Sequence, residues 1–150
     1  MRHLRTYPVY FLKEALSVNK VIIHTDGAAR GNPGPAAIGA TLRDEKGNLI
    51  GSISQRIGIT TNNQAEYRAI IAALGKAVSL GARHVEVKAD SELVVKQLNG
   101  RYKVKKAVLR PLYQEIIQLI GSLDSFKIAH IPRAQNAEAD ALANKALNGL

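Results

Sequence analysis

The segment Val21-Ile22-Ile23-His24-Thr25-Asp26 constrains this chain more than any other part of it. Its β-branched residues favour an extended backbone, and the run ends on a carboxylate followed by a glycine. It reads as a central strand, so neighbouring strands must be found on both sides. Gly27 to Pro35 holds three glycines and two prolines in nine residues and reads as a turn. Ala36–Arg43 and Leu49–Ile57 read as two further strands, joined by the turn Asp44-Glu45-Lys46-Gly47-Asn48 into an antiparallel meander.

Beyond the meander the apolar period changes. Asn63–Leu80 is rich in alanine, and Ala65, Ala69, Ala72, Ala73, Ala77 and Leu80 recur at helical spacing. Thr61-Asn62-Asn63-Gln64 supplies capping-box chemistry at its start, and Gly81 is a natural stop. A short strand follows at His84–Ala89, then helices at Ser91–Leu98 and Val108–Leu123. The last strand is Phe126–Ile131, broken by Pro132, and Asn136–Leu147 is a closing helix. The order is β-β-β-α-β-α-α-β-α. It predicts an α/β fold built on a five-stranded mixed sheet, antiparallel at first and parallel later, flanked by helices. Ligands of such sheets favour the carboxyl ends of the parallel strands.

With 150 residues the chain has room for one domain. No apolar run approaches the roughly 20 residues of a membrane span, and the absence of cysteine excludes a disulfide framework, a thiolate nucleophile and a Cys-based zinc site. The net charge of +9 points to a polyanionic partner, nucleic acid before an anionic membrane surface. Residues 1–20 carry Arg2, Arg5, Lys13 and Lys20 against Glu14 and read as a basic N-terminal extension, with a helical turn around Leu12 to Leu16. Either an extra nucleic-acid contact or a plain packing arm fits that composition. The domain proper is assigned to 21–150 and keeps 17 basic against 11 acidic residues.

Four of those acids occupy telling positions. Asp26 ends the first strand, Asp90 ends the fourth, Glu66 sits in the first turn of the long helix, and Asp140 sits in the first turns of the last. Singly, each also fits a plain role: carboxylates at helix N-termini suit the macrodipole, and Glu66 fits the third position of a cap begun at Asn63. Together at one sheet edge they would repel one another unless protons or cations neutralised them. All-oxygen ligation suits Mg²⁺ or Mn²⁺. On a basic chain, such a cluster is the arrangement for phosphodiester hydrolysis: one cation generates hydroxide, and a second, about 3.5–4 Å away, stabilises the leaving oxygen.

The stretches Asp26 to Pro35 (DGAARGNPGP), Thr60 to Glu66 (TTNNQAE), Asp90-Ser91 and Asn136 to Asp140 (NAEAD) together resemble type I ribonuclease H, from about Val21 to Leu147. The resemblance implies an RNase H-like fold and an endonuclease that cuts the RNA strand of RNA–DNA hybrids, leaving 5′-phosphate and 3′-hydroxyl ends. Asp26, Glu66, Asp90 and Asp140 match the family's metal-binding tetrad, which holds two Mg²⁺ or Mn²⁺ ions. Asp26 would bridge them, and Glu66 would share one and accept from a ribose 2′-OH, the group that distinguishes RNA from DNA. By the same resemblance, Asn32 and Asn63 would reach bases or sugars in the minor groove, and Thr61 and Asn62 a phosphate of the DNA strand. Asn136 is placed with the substrate-binding residues.

Five basic residues fall between Asn99 and Arg110, with Tyr102 among them. A solvated loop or a phosphate-contacting edge formed by Tyr102, Lys103 and Lys105 both fit. Longer family members carry a Trp-containing basic handle here; this chain has no tryptophan and a shorter segment, and resembles the compact, handle-less subgroup. The family's glycine-and-histidine loop before the last aspartate is also missing. His130 therefore reads as structural, and Arg133 as the group facing the scissile phosphate. A monomeric cytoplasmic enzyme is the expectation, against two alternatives: a catalytically silent binding module of the same fold, or a relative acting on DNA.

Overall fold

The computed structural model describes residues 18–149. Residues 1–17, with the reading of the basic arm and its helical turn, lie outside them. The elements are β1 (Lys20–Ala29), β2 (Gly34–Arg43), β3 (Leu49–Thr60), α1 (Asn62–Ser79), β4 (His84–Ala89), α2 (Glu92–Leu98), α3 (Arg110–Ile120), β5 (Ser125–His130), a 3-10 turn (Arg133–Asn136) and α4 (Ala137–Leu147). The sheet order is β3-β2-β1-β4-β5, with β1–β3 antiparallel and β4 and β5 parallel to β1. The predicted mixed sheet is therefore present, with β1 at its centre. β1 begins at Lys20, and Val18 packs against the core.

Two layers of helix cover the sheet. α1 lies along β1, and α3 packs against α1. Their core joins Val21, Ile23, Leu42, Tyr67, Ile70, Leu74, Val87, Val94 and Ile116. Within it the Tyr67 hydroxyl donates to Gln97 Oε1 at 2.6 Å, which fastens α1 to α2. α4 packs on β1, β2 and β3, where Ala37, Ala146 and Leu147 form a second, smaller cluster. A methyl at Gly39 would overlap the α4 backbone at Ala139, so the missing side chain sets how closely that helix sits.

Element boundaries differ from expectation for identifiable reasons. The turn predicted over Gly27 to Pro35 shrinks to residues 30–33, because β1 continues three residues beyond Asp26 to Ala29 and β2 begins at Gly34. β3 does not stop at Ile57. Gly58, at φ +83°, lets the strand bulge and resume pairing through Gly34↔Thr60. α3 starts at Arg110 rather than Val108, because Pro111 is tolerated only in a first turn.

Candidate active site

Parallel pairing of β1 and β4 positions the first two acids. The register runs Ile23↔Val87 and Thr25↔Ala89, so Asp26 and Asp90 are the next residues along neighbouring strands. Ser91 then caps α2 with its hydroxyl, turning the chain away immediately after Asp90. The third acid arrives from α1. Thr61 is the N-cap, and its capping box is completed by Gln64, not Glu66. Glu66 is the fifth helical residue, two positions deeper than the sequence suggested, and is 8% exposed.

Gly27 makes that depth possible. A Cβ at residue 27 would overlap the backbone of Ala65 and Glu66. Without one, α1 lies against β1, and the Gly27 N–H donates to Glu66 Oε1 at 2.5 Å. Carboxylate oxygens of Asp26, Glu66 and Asp90 then all lie within 4.8 Å of one another. They line an open cavity of about 460 Å³ with Arg30, Asn62, Asn63, Ser91, Arg133 and Asn144.

The crowding carries an electrostatic penalty. Burial, then the charge of Asp90 and a hydrogen bond with Asp140, push the Asp26 carboxyl up to about 7. Glu66 is also held above the usual carboxylate range, by burial and by Asp26, against the opposing Gly27 hydrogen bond. Bound protons therefore relieve the repulsion, and a divalent cation would relieve it by displacing them. The donor set, all oxygen and all acidic, fits such a hard cation.

Asp140 stands at the edge of this trio. Its Oδ1 lies 3.7 Å from Arg133 Nη2, and its backbone carbonyl accepts from Asn144 Nδ2 at 3.1 Å. Arg133 itself is 83% exposed and lines the cavity, which leaves its guanidinium available to an anion.

Around the rim, Asn32 and Asn62 interlock. Asn32 Oδ1 accepts from the Asn62 N–H at 3.0 Å, and Asn62 Oδ1 from the Ala29 N–H at 2.9 Å. Both residues are exposed, Thr61 is committed to its cap, and Asn63 lines the cavity. Tyr102 and Lys103 line a separate cleft of about 400 Å³ that shares no residue with the acidic cavity. Tyr102 is 50% exposed under the Lys96 ammonium, 5.1 Å from the ring centre, and Lys103 and Lys105 are exposed. Arg110, also exposed, donates to the loop's own carbonyls at Val104 and Lys105. His130, exposed at the end of β5, is absent from the cavity lining, and His24 is pushed below its usual range by burial and by Lys88.

The reading of Asn136 as a substrate contact needs correction. Asn136 is 1% exposed, and its Nδ2 donates to the Thr25 carbonyl at 2.8 Å and to Asp90 Oδ2 at 3.1 Å. Its Oδ1 is buried without a hydrogen-bond partner, a cost of about 1–3 kcal/mol. Sequence reasoning missed Gly27 as a packing residue and Asn144 and Arg30 in the cavity wall. The first had a signal, a glycine immediately after the acid of a central strand.

Comparison with known proteins agrees with this geometry. Residues 24–146 match a family model described as reverse transcriptase-like. The chain is 45% identical over 129 residues to ribonuclease HI of Halobacterium salinarum, covering 86% of this chain and 65% of that protein. It is also 45% identical over 130 residues to a bifunctional protein of Mycobacterium tuberculosis, covering 86% of this chain and 36% of that one. The chain thus spans less than two thirds of the length of these curated relatives. LC11-RNase H1, solved in complex with an RNA/DNA hybrid, superposes with a TM-score of 0.82 at 46% identity, covering 86% of this chain and 97% of that one.

Proposed function

The chain belongs to the ribonuclease H family, and from that membership we propose that it is an endoribonuclease hydrolysing the RNA strand of RNA–DNA hybrids. The observation that carries the reading is the trio Asp26, Glu66 and Asp90, with carboxylate oxygens within 4.8 Å at the carboxyl ends of two central strands. A silent binding module has no use for such crowding, which destabilises the apo-fold. The related structure with a bound RNA/DNA hybrid supports the same substrate class here.

Asp26, Glu66 and Asp90, with Asp140 beside them, would hold two divalent cations, Mg²⁺ or Mn²⁺. When bound, the cations supply charge neutralisation and a more acidic water. Water adds to phosphorus, the P–O3′ bond breaks, and water's proton ends on the 3′ oxygen, so that products carry 5′-phosphate and 3′-hydroxyl groups. Arg133 faces the cavity with an exposed guanidinium and would hold a backbone phosphate. Asn32, Thr61, Asn62 and Asn63 would follow the hybrid along the start of α1, while Tyr102, Lys103 and Lys105 supply a second, basic contact. No helix among the described residues is long and apolar enough to cross a membrane. We assign the enzyme to the cytoplasm, acting as a monomer.

A cleavage panel of RNA–DNA, RNA–RNA and DNA–DNA duplexes, each with Mg²⁺ and Mn²⁺, tests the assignment. Cation-dependent cutting of the hybrid's RNA strand alone is the expected result. Hybrid binding without cleavage would leave a silent module, and equal cutting of duplex DNA a DNA nuclease.

A further inference from the structure

Asn136 is the most deeply buried polar side chain next to the acidic cavity, and the cleavage chemistry above does not use it. Its amide nitrogen spends one proton on the carbonyl of Thr25, the residue before Asp26, and the other on Asp90 Oδ2. Thr25 and Ala89 are register partners, so this single amide spans the ends of β1 and β4 where both acids emerge. Only one orientation of the amide suits these neighbours. Reversed, its oxygen would confront a carbonyl and a carboxylate, two acceptors. The surviving orientation leaves Oδ1 buried and unpaired. The donor end is thus what the surroundings require, and the acceptor end is tolerated.

We propose that Asn136 is a positioning residue: by holding Asp90 Oδ2 it fixes the Asp90 carboxylate, leaving the other oxygen to face a cation. Partners of this kind, hydrogen-bonded to a ligating carboxylate, set its orientation and hence metal affinity. The inference rests on the functional reading above. It also predicts something a substrate contact would not, a defect in cation binding before any nucleic acid is present.

The test is Mn²⁺ binding to the free protein, followed by electron paramagnetic resonance, alongside steady-state cleavage. Asn136→Ala removes the amide, and Asn136→Leu replaces it with an apolar side chain of the same heavy-atom count and branching, so that the site is not left as a cavity; a thermal melt of each variant establishes that it is folded. Tyr67→Phe, which breaks a buried bond between α1 and α2, controls for general loosening. Loss of roughly 10- to 100-fold in Mn²⁺ affinity is expected in both Asn136 variants, with a lower kcat, an unchanged KM for the hybrid, and wild-type Mn²⁺ affinity in Tyr67→Phe. Unchanged Mn²⁺ affinity in folded Asn136→Leu overturns the proposal, as does an effect confined to KM or an equal loss in Tyr67→Phe. Wild-type protein that neither cleaves hybrid nor binds Mn²⁺ overturns the functional reading, and this inference with it.

Discussion

Replacing Asp26 by asparagine should abolish cleavage and, in the same step, stabilise the metal-free protein. Asp26 is 7% exposed, with a carboxyl raised from 3.8 to about 7. Below the lower value it is protonated in both the folded and the unfolded chain; above the upper value it is ionised in both. Between them only the unfolded chain gives up its proton, so stability falls as pH rises across that window. Three units at 1.36 kcal/mol each give a ceiling of about 4 kcal/mol at about pH 8. Glu66 shares the burden, since its carboxyl is raised partly by Asp26 itself, so removing the charge should recover about 2–4 kcal/mol. For a domain of this size that is roughly 5–15 °C in melting temperature. The assay is a thermal melt in EDTA at about pH 8 and about pH 4. Asp26→Asn should melt well above wild type at the higher pH and level with it at the lower. Added Mg²⁺ should raise the wild type more than the variant, while hybrid binding survives in both. Melting curves that stay parallel at the two pH values would refute the argument that the site stores carboxylate repulsion.

Two other perturbations probe different parts of the molecule. Gly27→Ala inserts a methyl into the backbone of α1 at Ala65 and Glu66; denaturant titration should show a loss of at least about 1–3 kcal/mol, and residual cleavage should fall as Glu66 is displaced. Lys103→Ala with Lys105→Ala should weaken hybrid binding on every sequence and reduce the slope of log K against log salt by about 2 if both contact phosphates; a salt slope equal to wild type would make the loop a solvated one.

Much of this architecture was legible because local chemistry and tertiary context agree. The β-branched run to Asp26, the Thr61–Gln64 cap and the Gly81 stop each name their element directly, and the order of elements along the chain follows from where the apolar period changes. What sequence hid are features whose cause lies in another segment. Gly27 reads as a turn residue until α1 is seen lying against it; Gly34, from the same predicted turn, is likewise taken up by a strand. Gly58 looks like the end of β3 because a bulge needs its partner strand to be recognised. Asn136 falls inside a motif that suggests substrate contact, yet its partners, Thr25 and Asp90, are 111 and 46 residues away in sequence. Arg110 adds to the basic composition of its loop, yet its guanidinium donates to the loop's own carbonyls, a partnership composition cannot show.

The acidic trio draws one residue each from β1, α1 and the end of β4, and the amide that joins Asp90 to the Thr25 carbonyl beside Asp26 comes from the turn before the last helix. During synthesis, then, the three acids emerge long before the residue that braces them. A chain that ends before residue 136 carries all three acids but lacks the amide that holds Asp90 Oδ2. On the positioning role proposed for Asn136, cutting competence arrives only when the domain is nearly complete, so a stalled or truncated product would be a poor nuclease even if its sheet had begun to form.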